Sequence, residues 1–324
     1  VTLTHRLFAQ SIRDMRAMPV ADVEAAAASL LSRLLDHAAR HVSFYRPIAD
    51  RLVRATGDPE AWQALPVIAA EDHATTADAF LADELPPQEF ALEEPSWTTV
   101  STPIEGPFGL LADVADKGQW EYLLRRFEVD TSGRLAAILP PASLRAGDVA
   151  EPFGPWSIDA HRGRAHRWSE AFAPDATLTW LDHIRPACLF LRPAMLERLL
   201  EAARPGRLEV AEILLAGPAL RSETRRRCEA VFGARLIEAV TSAGGFVAGA
   251  EPDGLFVPAT ETAIVEIVDG SGRLSRPGEP GRLVATALYG YRRAVLRQDT
   301  GLRAAWSDHT SECGRRCFRV LTDA

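Results

Sequence analysis

Apolar residues recur at three- and four-residue intervals early in the chain: Val23, Ala27, Leu30, Leu31, Leu34, Leu35, Ala38 and Val42. That spacing draws one apolar stripe along a helix and predicts helical structure over residues 3–54. Asp22 sits where a carboxylate suits the N-terminal dipole, and Phe44-Tyr45-Arg46-Pro47 closes one helix and begins another. Asp58-Pro59-Glu60 reads as a helix start, 65–68 as a short extended link, and 84–96 as a proline-broken connection.

The pattern then alternates. Residues 97–100 are strand-like and empty into Ser101–Pro107, followed by a predicted helix over 116–128 and a buried-type strand over 135–139. Residues 141–162 are loop-rich, and 164–172 and 179–185 read as helical. A short apolar strand follows at 188–191, and Pro193 opens a helix over 194–203. The stretch 208–249 organises the rest. A strand over 210–215 leads to Ala216-Gly217-Pro218, a helix over 222–232, a strand over 235–240 and the loop Thr241-Ser242-Ala243-Gly244-Gly245. Strand, glycine turn, helix, strand, glycine loop predicts a parallel α/β sheet with a ligand crevice at its carboxyl edge. Beyond it, 255–258, 263–268, 281–287 and 294–297 are short β-type runs between Asp-Gly, Ser-Gly and Pro-Gly turns, a meander or small barrel.

At 324 residues and 47 % apolar, the chain has enough material for a large α/β core with an appendage. The expected division is a helical part over 1–96, an α/β core over 97–250 and a β-rich part over 251–324. A formal charge of −8 argues against a nucleic-acid partner. No run approaches the roughly 20 apolar residues of a membrane span. No secretion signal is visible, and four cysteines (Cys188, Cys228, Cys313, Cys317) make no disulfide framework, so a cytoplasmic setting is expected. Lys117 is the only lysine.

Several short runs together carry a family resemblance. They are His37–Arg46, Ile213-Leu214-Leu215-Ala216-Gly217-Pro218-Ala219-Leu220 with Arg225, Val265-Glu266-Ile267-Val268-Asp269, Pro277–Leu288, Val295–Gly301 and Cys313-Gly314-Arg315. In this order the chain resembles the phenylacetate–CoA ligase branch of the adenylate-forming superfamily over about residues 30–321. The resemblance implies the large α/β domain of those enzymes, with layered α/β structure and a β-rich C-terminal part. It also implies the small C-terminal domain is absent, because the chain stops where the hinge would begin. Family members use ATP to make an acyl-adenylate and then a CoA thioester.

Carried over residue by residue, the nucleotide positions depart from that pattern. The phosphate loop aligns to Ser101–Pro107, where Thr102 and Glu105 stand at glycine positions and Pro103 and Ile104 at hydroxyl positions. Proline removes a donor and a carboxylate repels a triphosphate. The adenine-stacking aromatic becomes Val240, the metal-holding glutamate becomes Gly244, and the ribose aspartate falls on Leu302; Arg297 matches the motif's arginine. ATP is therefore not expected, coenzyme A is expected only as the thioester of a substrate, and no other cofactor and no metal is assigned. Ala250 and Phe256 replace ligands that some relatives use for zinc.

The residues left with chemistry are Glu238, Ser242 and His183 as candidate catalytic groups. Ala216, Gly217, Thr241, Gly244, Gly245, Phe246 and Arg297 would line the substrate site. Glu238 could serve as a general base or stand salt-bridged to a neighbouring arginine. Ser242 could be aimed at substrate by a strained loop whose backbone N–H groups form an oxyanion cradle, or belong to a plain small-residue turn. His183, with His161 and His166, could be acid/base or solvated; their spacing makes no metal pair. Cys313 and Cys317 could be half a zinc site, a redox pair or a tail loop.

Three functions fit. One is an ATP-independent enzyme that transfers, condenses or hydrolyses an acyl or aryl group already activated as a CoA or carrier thioester. The second is a non-catalytic pseudoenzyme that presents a bound acid or scaffolds a biosynthetic partner or carrier protein. The third is one half of a split ATP-dependent acid–CoA ligase.

Overall fold

A computed structural model describes residues 3–69, 72, 76–89, 91–92, 108–144, 149, 152–158, 162–206 and 208–322. The N-terminal stripe folds as expected. Helix α1 (Leu3–Arg16) precedes a helical layer of α2 (Val20–His41), α3 (Ala49–Ala55) and α4 (Pro59–Gln63), with α2 burying Val23, Ala27, Leu34, Leu35 and Ala38. Asp58 caps α4 by accepting the N–H groups of Glu60 and Ala61 at 3.0 and 3.1 Å, and Pro59 follows at the first helical position.

A two-residue pairing joins β1 (Ala91–Leu92) to β2 (Phe108–Gly109), after which α5 runs over Leu110–Arg126. This helix starts six residues before the predicted helix. Its buried residues lie on every side and include Asp113, Asp116, Lys117, Gln119 and Glu121, so apolar spacing could not mark its start.

Among the described residues, twelve strands build one sheet. Its parallel part holds β3 (Arg134–Leu139), β5 (Arg164–Ser169), β6 (Cys188–Leu191), β7 (Glu212–Ala216) and β8 (Arg235–Ser242), in the order β5-β3-β6-β7-β8, with β4 (Pro152–Phe153) antiparallel at the edge. Helices α6 (Pro174–Ile184), α7 (Pro193–Ala202) and α8 (Ser222–Phe232) connect these strands. The strand side chains alternate between two cores. Ala136, Ile138, Leu189, Leu191, Ile213 and Leu215 face α6, α7 and α8. Leu135, Ala137, Leu139, Phe190, Leu214 and Ile237 face α5 through Trp120, Leu123 and Leu124.

Residues 164–169 are a strand, correcting the helix expected there. The run Arg-Ala-His-Arg-Trp-Ser lacks an apolar signal because β5 lies one strand from the sheet edge. Six consecutive pairings with β3, from Arg134↔Arg164 to Leu139↔Ser169, decide its state.

The antiparallel part contains β9 (Gly245–Ala250), β10 (Phe256–Pro258), β11 (Ala263–Val268), β12 (Gly281–Ala287), β13 (Gln298–Thr310) and β14 (Arg316–Val320), in the order β8-β9-β10-β14-β13-β12-β11. β9 pairs with β10, so a single sheet runs through residue 250. Val240, Val247, Phe256, Ile267, Leu283, Ala304 and Phe318 fill this half. Residues 294–297 are not a strand, another correction. Ala294, Val295 and Leu296 are buried against Leu34, Tyr45 and Trp62 of the helical layer, and Arg297 at φ +49° turns the chain into β13. No helix among the described residues is long and apolar enough to cross a membrane.

Candidate functional site

At the carboxyl edge, β7 ends at Ala216 and Gly217 turns away at φ +144°, donating its N–H to Ala239 O at 3.1 Å. A Cβ on Gly217 would lie 3.1 Å from Pro193 Cδ, so α7 approaches closely here. β8 continues through Thr241 and Ser242, and a tight turn through Ala243 and Gly244 starts β9 at Gly245. The glycine stretch is a hairpin rather than an open crevice loop.

The hairpin's donors are spent inside the protein. Ala243 N–H donates to Gln298 Oε1 at 3.0 Å, Gly244 N–H to Ser242 Oγ at 3.2 Å, and Phe246 N–H to Asp116 Oδ1 at 2.8 Å. An oxyanion cradle needs donors aimed at a vacant position, and these three are not. Gly244 is required by space, since a Cβ there would come within 2.3 Å of Ala287 Cβ. Phe246 is buried edge-on to Trp120 at 5.4 Å and Ala216 is equally buried, so both are core rather than site wall. Gly217, Thr241, Ser242 and Gly244 keep partial exposure.

Glu238 is 3 % exposed and fully engaged. Its Oε1 accepts Leu220 N–H at 2.8 Å, and its Oε2 pairs with Arg225 of α8. Of the two roles open to it, the geometry is that of a charged brace on the turn between β7 and α8. His183 is exposed in the last turn of α6, which feeds β6 at the amino edge of the sheet. The length of the parallel strands separates it from Ser242, so the expected catalytic grouping of Glu238, Ser242 and His183 does not assemble. His166 is half-buried in β5; His161 and Ser101–Pro107 lie outside the described residues.

Arg297 has no exposed surface and no donor left for a ligand. Nε and Nη2 hold Glu266 at 3.1 Å each, Nη1 donates to the carbonyls of Gln63 and Leu65 at 2.7 and 2.6 Å, and Nη2 also reaches Gly272 O at 2.8 Å. Its expected place in the substrate site is corrected to a structural clamp. Burial raises the Glu266 pKa and the Arg297 charge opposes that rise.

Three features escaped the sequence reading. Strand order β5-β3-β6 places the topological switch point between β3 and β6, beyond the carboxyl ends of those strands, not at β7 and β8. There Glu170 N–H donates to Leu139 O, and Arg192 Nε reaches the Glu170 carboxylate at 3.1 Å. Only the pairing order reveals this. Second, Glu89 is buried at the N-terminus of α5 and accepts Leu111 N–H at 3.1 Å. A Cβ on Gly109 would lie 2.8 Å from the Glu89 carboxyl carbon. A helix N-terminus is a natural anion site, and here the chain's own carboxylate fills it. Third, Lys117 is buried on α5, its Nζ 2.6 Å from Asp113 Oδ2, which His5 of α1 approaches at 3.1 Å. Burial lowers the Lys117 pKa and Asp113 opposes the shift. Its being the only lysine was the available signal. Among the described residues, no group of three or more His, Cys, Asp or Glu side chains is placed to hold a metal ion.

The chain matches no protein-family model, and no curated protein matches it in sequence. Solved structures do match. An open conformation of 2-hydroxyisobutyryl-CoA ligase, in complex with 2-HIB-AMP and CoA, superposes with a TM-score of 0.67 at 18 % identity, over 94 % of this chain and 74 % of the ligase. The same ligase in its thioesterification state gives 0.66 at 17 %, over 94 % and 68 %. In its postadenylation state with 2-HIB-AMP it gives 0.66 at 18 %, over 94 % and 67 %. At such identity the likeness concerns architecture and not chemistry. The chain has the mixed α/β fold, built on one large sheet, of the N-terminal domain of the adenylate-forming acyl-CoA ligases.

Proposed function

We propose that this chain is a non-adenylating protein of the acyl-CoA ligase fold, acting as a binding or partner protein for an acyl or aryl group carried as a CoA or carrier thioester. Glu89 carries the reading. The loop that resembles the family's phosphate loop leads through β2 directly into α5, whose N-terminus would favour a phosphate, and a buried carboxylate stands there instead. A triphosphate would meet like charge at that point. Substitutions at Thr102, Glu105, Val240, Gly244 and Leu302 point the same way.

The non-catalytic form is favoured over an ATP-independent enzyme by the engaged state of the groups at the ends of β7 and β8. Three hairpin N–H groups are donated internally, Glu238 is braced by Arg225 and Leu220, and His183 is remote. No group in that set is placed to move a proton at the carboxyl edge. By the same reading the protein works in a cytoplasmic setting, beside an enzyme that makes or consumes the thioester.

Calorimetry with ATP–magnesium and a panel of acyl- and aryl-CoA thioesters, followed by assays of pyrophosphate release and thioester loss, tests this. The expected result is thioester binding without ATP binding or turnover. Thioester consumption without ATP would replace the partner reading with the enzyme reading. ATP–magnesium binding with pyrophosphate release would overturn both.

A further inference from the structure

The turn joining β13 to β14 holds chemistry that the crevice does not use. Ser311 N–H donates to Arg315 O and Gly314 N–H to Ser311 O, both at 2.8 Å, with Gly314 at φ +76°. The closed turn curls Cys313 back upon itself. Ser311 Oγ lies 3.0 Å and Arg315 Nη1 3.1 Å from Cys313 Sγ. Burial alone would push this thiol up; the Ser311 hydroxyl, the Arg315 guanidinium and the nearby Arg16 more than offset it and hold the thiol below its ordinary range.

Cys317, at the second position of β14, has no exposed surface and packs with Leu255 and Val257 in a small cluster that Cys313 also joins. Burial, then Asp253 and Glu251, push its thiol up to about 11. A cavity of about 550 Å³, lined by Arg16, Met18, Tyr122, Arg126 and Glu312, opens on Cys313. One thiol is therefore reachable and thiolate-prone, and its neighbour is protonated and screened. Cys188 and Cys228 are buried in the main core with thiols raised by burial.

The same turn anchors the junction between α1 and α2. Arg315 Nη2 donates to Met15 O at 3.4 Å, and Arg315 pairs with buried Glu261, which Arg16 Nε also reaches at 3.1 Å. Gly314 packs against Val20, for a Cβ there would meet its Cγ2 at 3.4 Å. One guanidinium thus serves both the Cys313 sulfur and the end of α1.

We propose that Cys313 and Cys317 are an oxidant-responsive thiol pair, with a hydroperoxide as the class of oxidant, and that closing the pair loosens the C-terminal end of α1. The Cys313 thiolate attacks the peroxide, the O–O bond breaks, hydroxide or alkoxide leaves, and a sulfenic acid forms. The Cys317 thiol gives up its proton and attacks that sulfur; the S–O bond breaks, water leaves and the S–S bond forms. Two electrons pass to the peroxide. The neutral disulfide no longer holds Arg315 by charge, and the attachment at Met15 weakens.

The whole chain is treated with hydrogen peroxide at near-equimolar ratio and followed by intact mass, peptide mapping and amide exchange over residues 15–20. Cys313 should react at least about tenfold faster than Cys188 and Cys228. Wild type should lose two hydrogens with residues 313 and 317 cross-linked, and exchange over 15–20 should rise. Cys317→Ser should accumulate a sulfenic acid at Cys313 that dimedone traps, and Cys313→Ser should show neither product nor exchange change. Arg315→Gln should move the pH midpoint of Cys313 alkylation upward, an effect that loss of packing would not produce. Equal reactivity of all four thiols, or a persistent sulfenic acid in wild type, would overturn the pair. A disulfide with unchanged exchange over 15–20 would overturn the link to α1.

Discussion

Two arginine–carboxylate pairs mark two regions of this molecule, and they differ in the arginine rather than the acid. At the carboxyl edge of the parallel strands, Glu238 is buried but the Arg225 side chain keeps 35 % exposure and meets water. At the seam between the helical layer and the antiparallel strands, Glu266 and Arg297 are both buried, and all five Arg297 donors reach acceptors. Those acceptors come from the end of α4 and the link after it, from β11 and from the turn beyond β11, so the guanidinium ties three segments at one point. A charge this buried persists because a two-oxygen carboxylate contact and three carbonyls replace its hydration. The Glu238 pair braces one turn, and solvent screens part of its attraction.

The largest test of that contrast is Arg297→Met. Leaving the Glu266 carboxylate buried without a counter-charge should cost about 3–5 kcal/mol of unfolding free energy, read by urea denaturation. A loss under about 1 kcal/mol would mean the seam does not depend on the clamp. Acid sharpens the same comparison. Glu266 already has a raised pKa in the folded protein, so its contribution is full below its unfolded value near 4.3 and declines as pH rises through the folded one. Removing Arg297 raises the folded pKa further. The deficit of Arg297→Met should therefore be widest near neutral pH and narrow as pH falls toward the unfolded value; a deficit independent of pH would assign the loss to packing.

Gly244→Ala comes next. Its Cβ would meet Ala287 Cβ at 2.3 Å, and neither methyl can rotate away, so a cost of about 1–3 kcal/mol is expected. Wild-type stability would show that the hairpin shifts freely against β12. The smallest effect belongs to the crevice pair. Glu238→Gln keeps an acceptor for Leu220 N–H and loses a partly screened charge contact, so thermal unfolding should report less than about 1 kcal/mol. If that variant instead abolished a measurable thioester turnover while barely changing stability, the brace would be a general base and the partner reading would fail.

Much of the fold was legible in the chain. The α2 stripe, the Asp58 cap, the 188–191 strand and the helix over Ser222–Phe232 follow from period, cap chemistry and the glycine at 233, which closes α8 at φ +65°. Failures share a cause. Residues 164–169 carry four polar side chains and become a strand only through pairing with β3. Residues 294–297 have β-type composition, yet they serve as a buried connection because Tyr45 Oη takes Leu296 N–H at 2.8 Å and Arg297 turns the chain. Of the candidate site, Gly217, Thr241, Ser242 and Gly244 do gather at one edge, while His183 and Arg297 lie elsewhere.

By itself, the sequence determined the class of architecture. Local period, caps and turns specify helices and strands in an order that one layered α/β sheet can satisfy, and motif order pointed to the acyl-CoA ligase fold. Tertiary structure decided what each polar group does. Glu89 reaches the start of α5 across 22 positions, Arg297 meets carbonyls more than 230 positions away, and the Ala243 N–H finds Gln298 55 positions on. Whether a donor is free for a ligand or already spent is a property of such distant encounters. A buried group must be satisfied by whatever the fold brings beside it, and no local pattern records that neighbour.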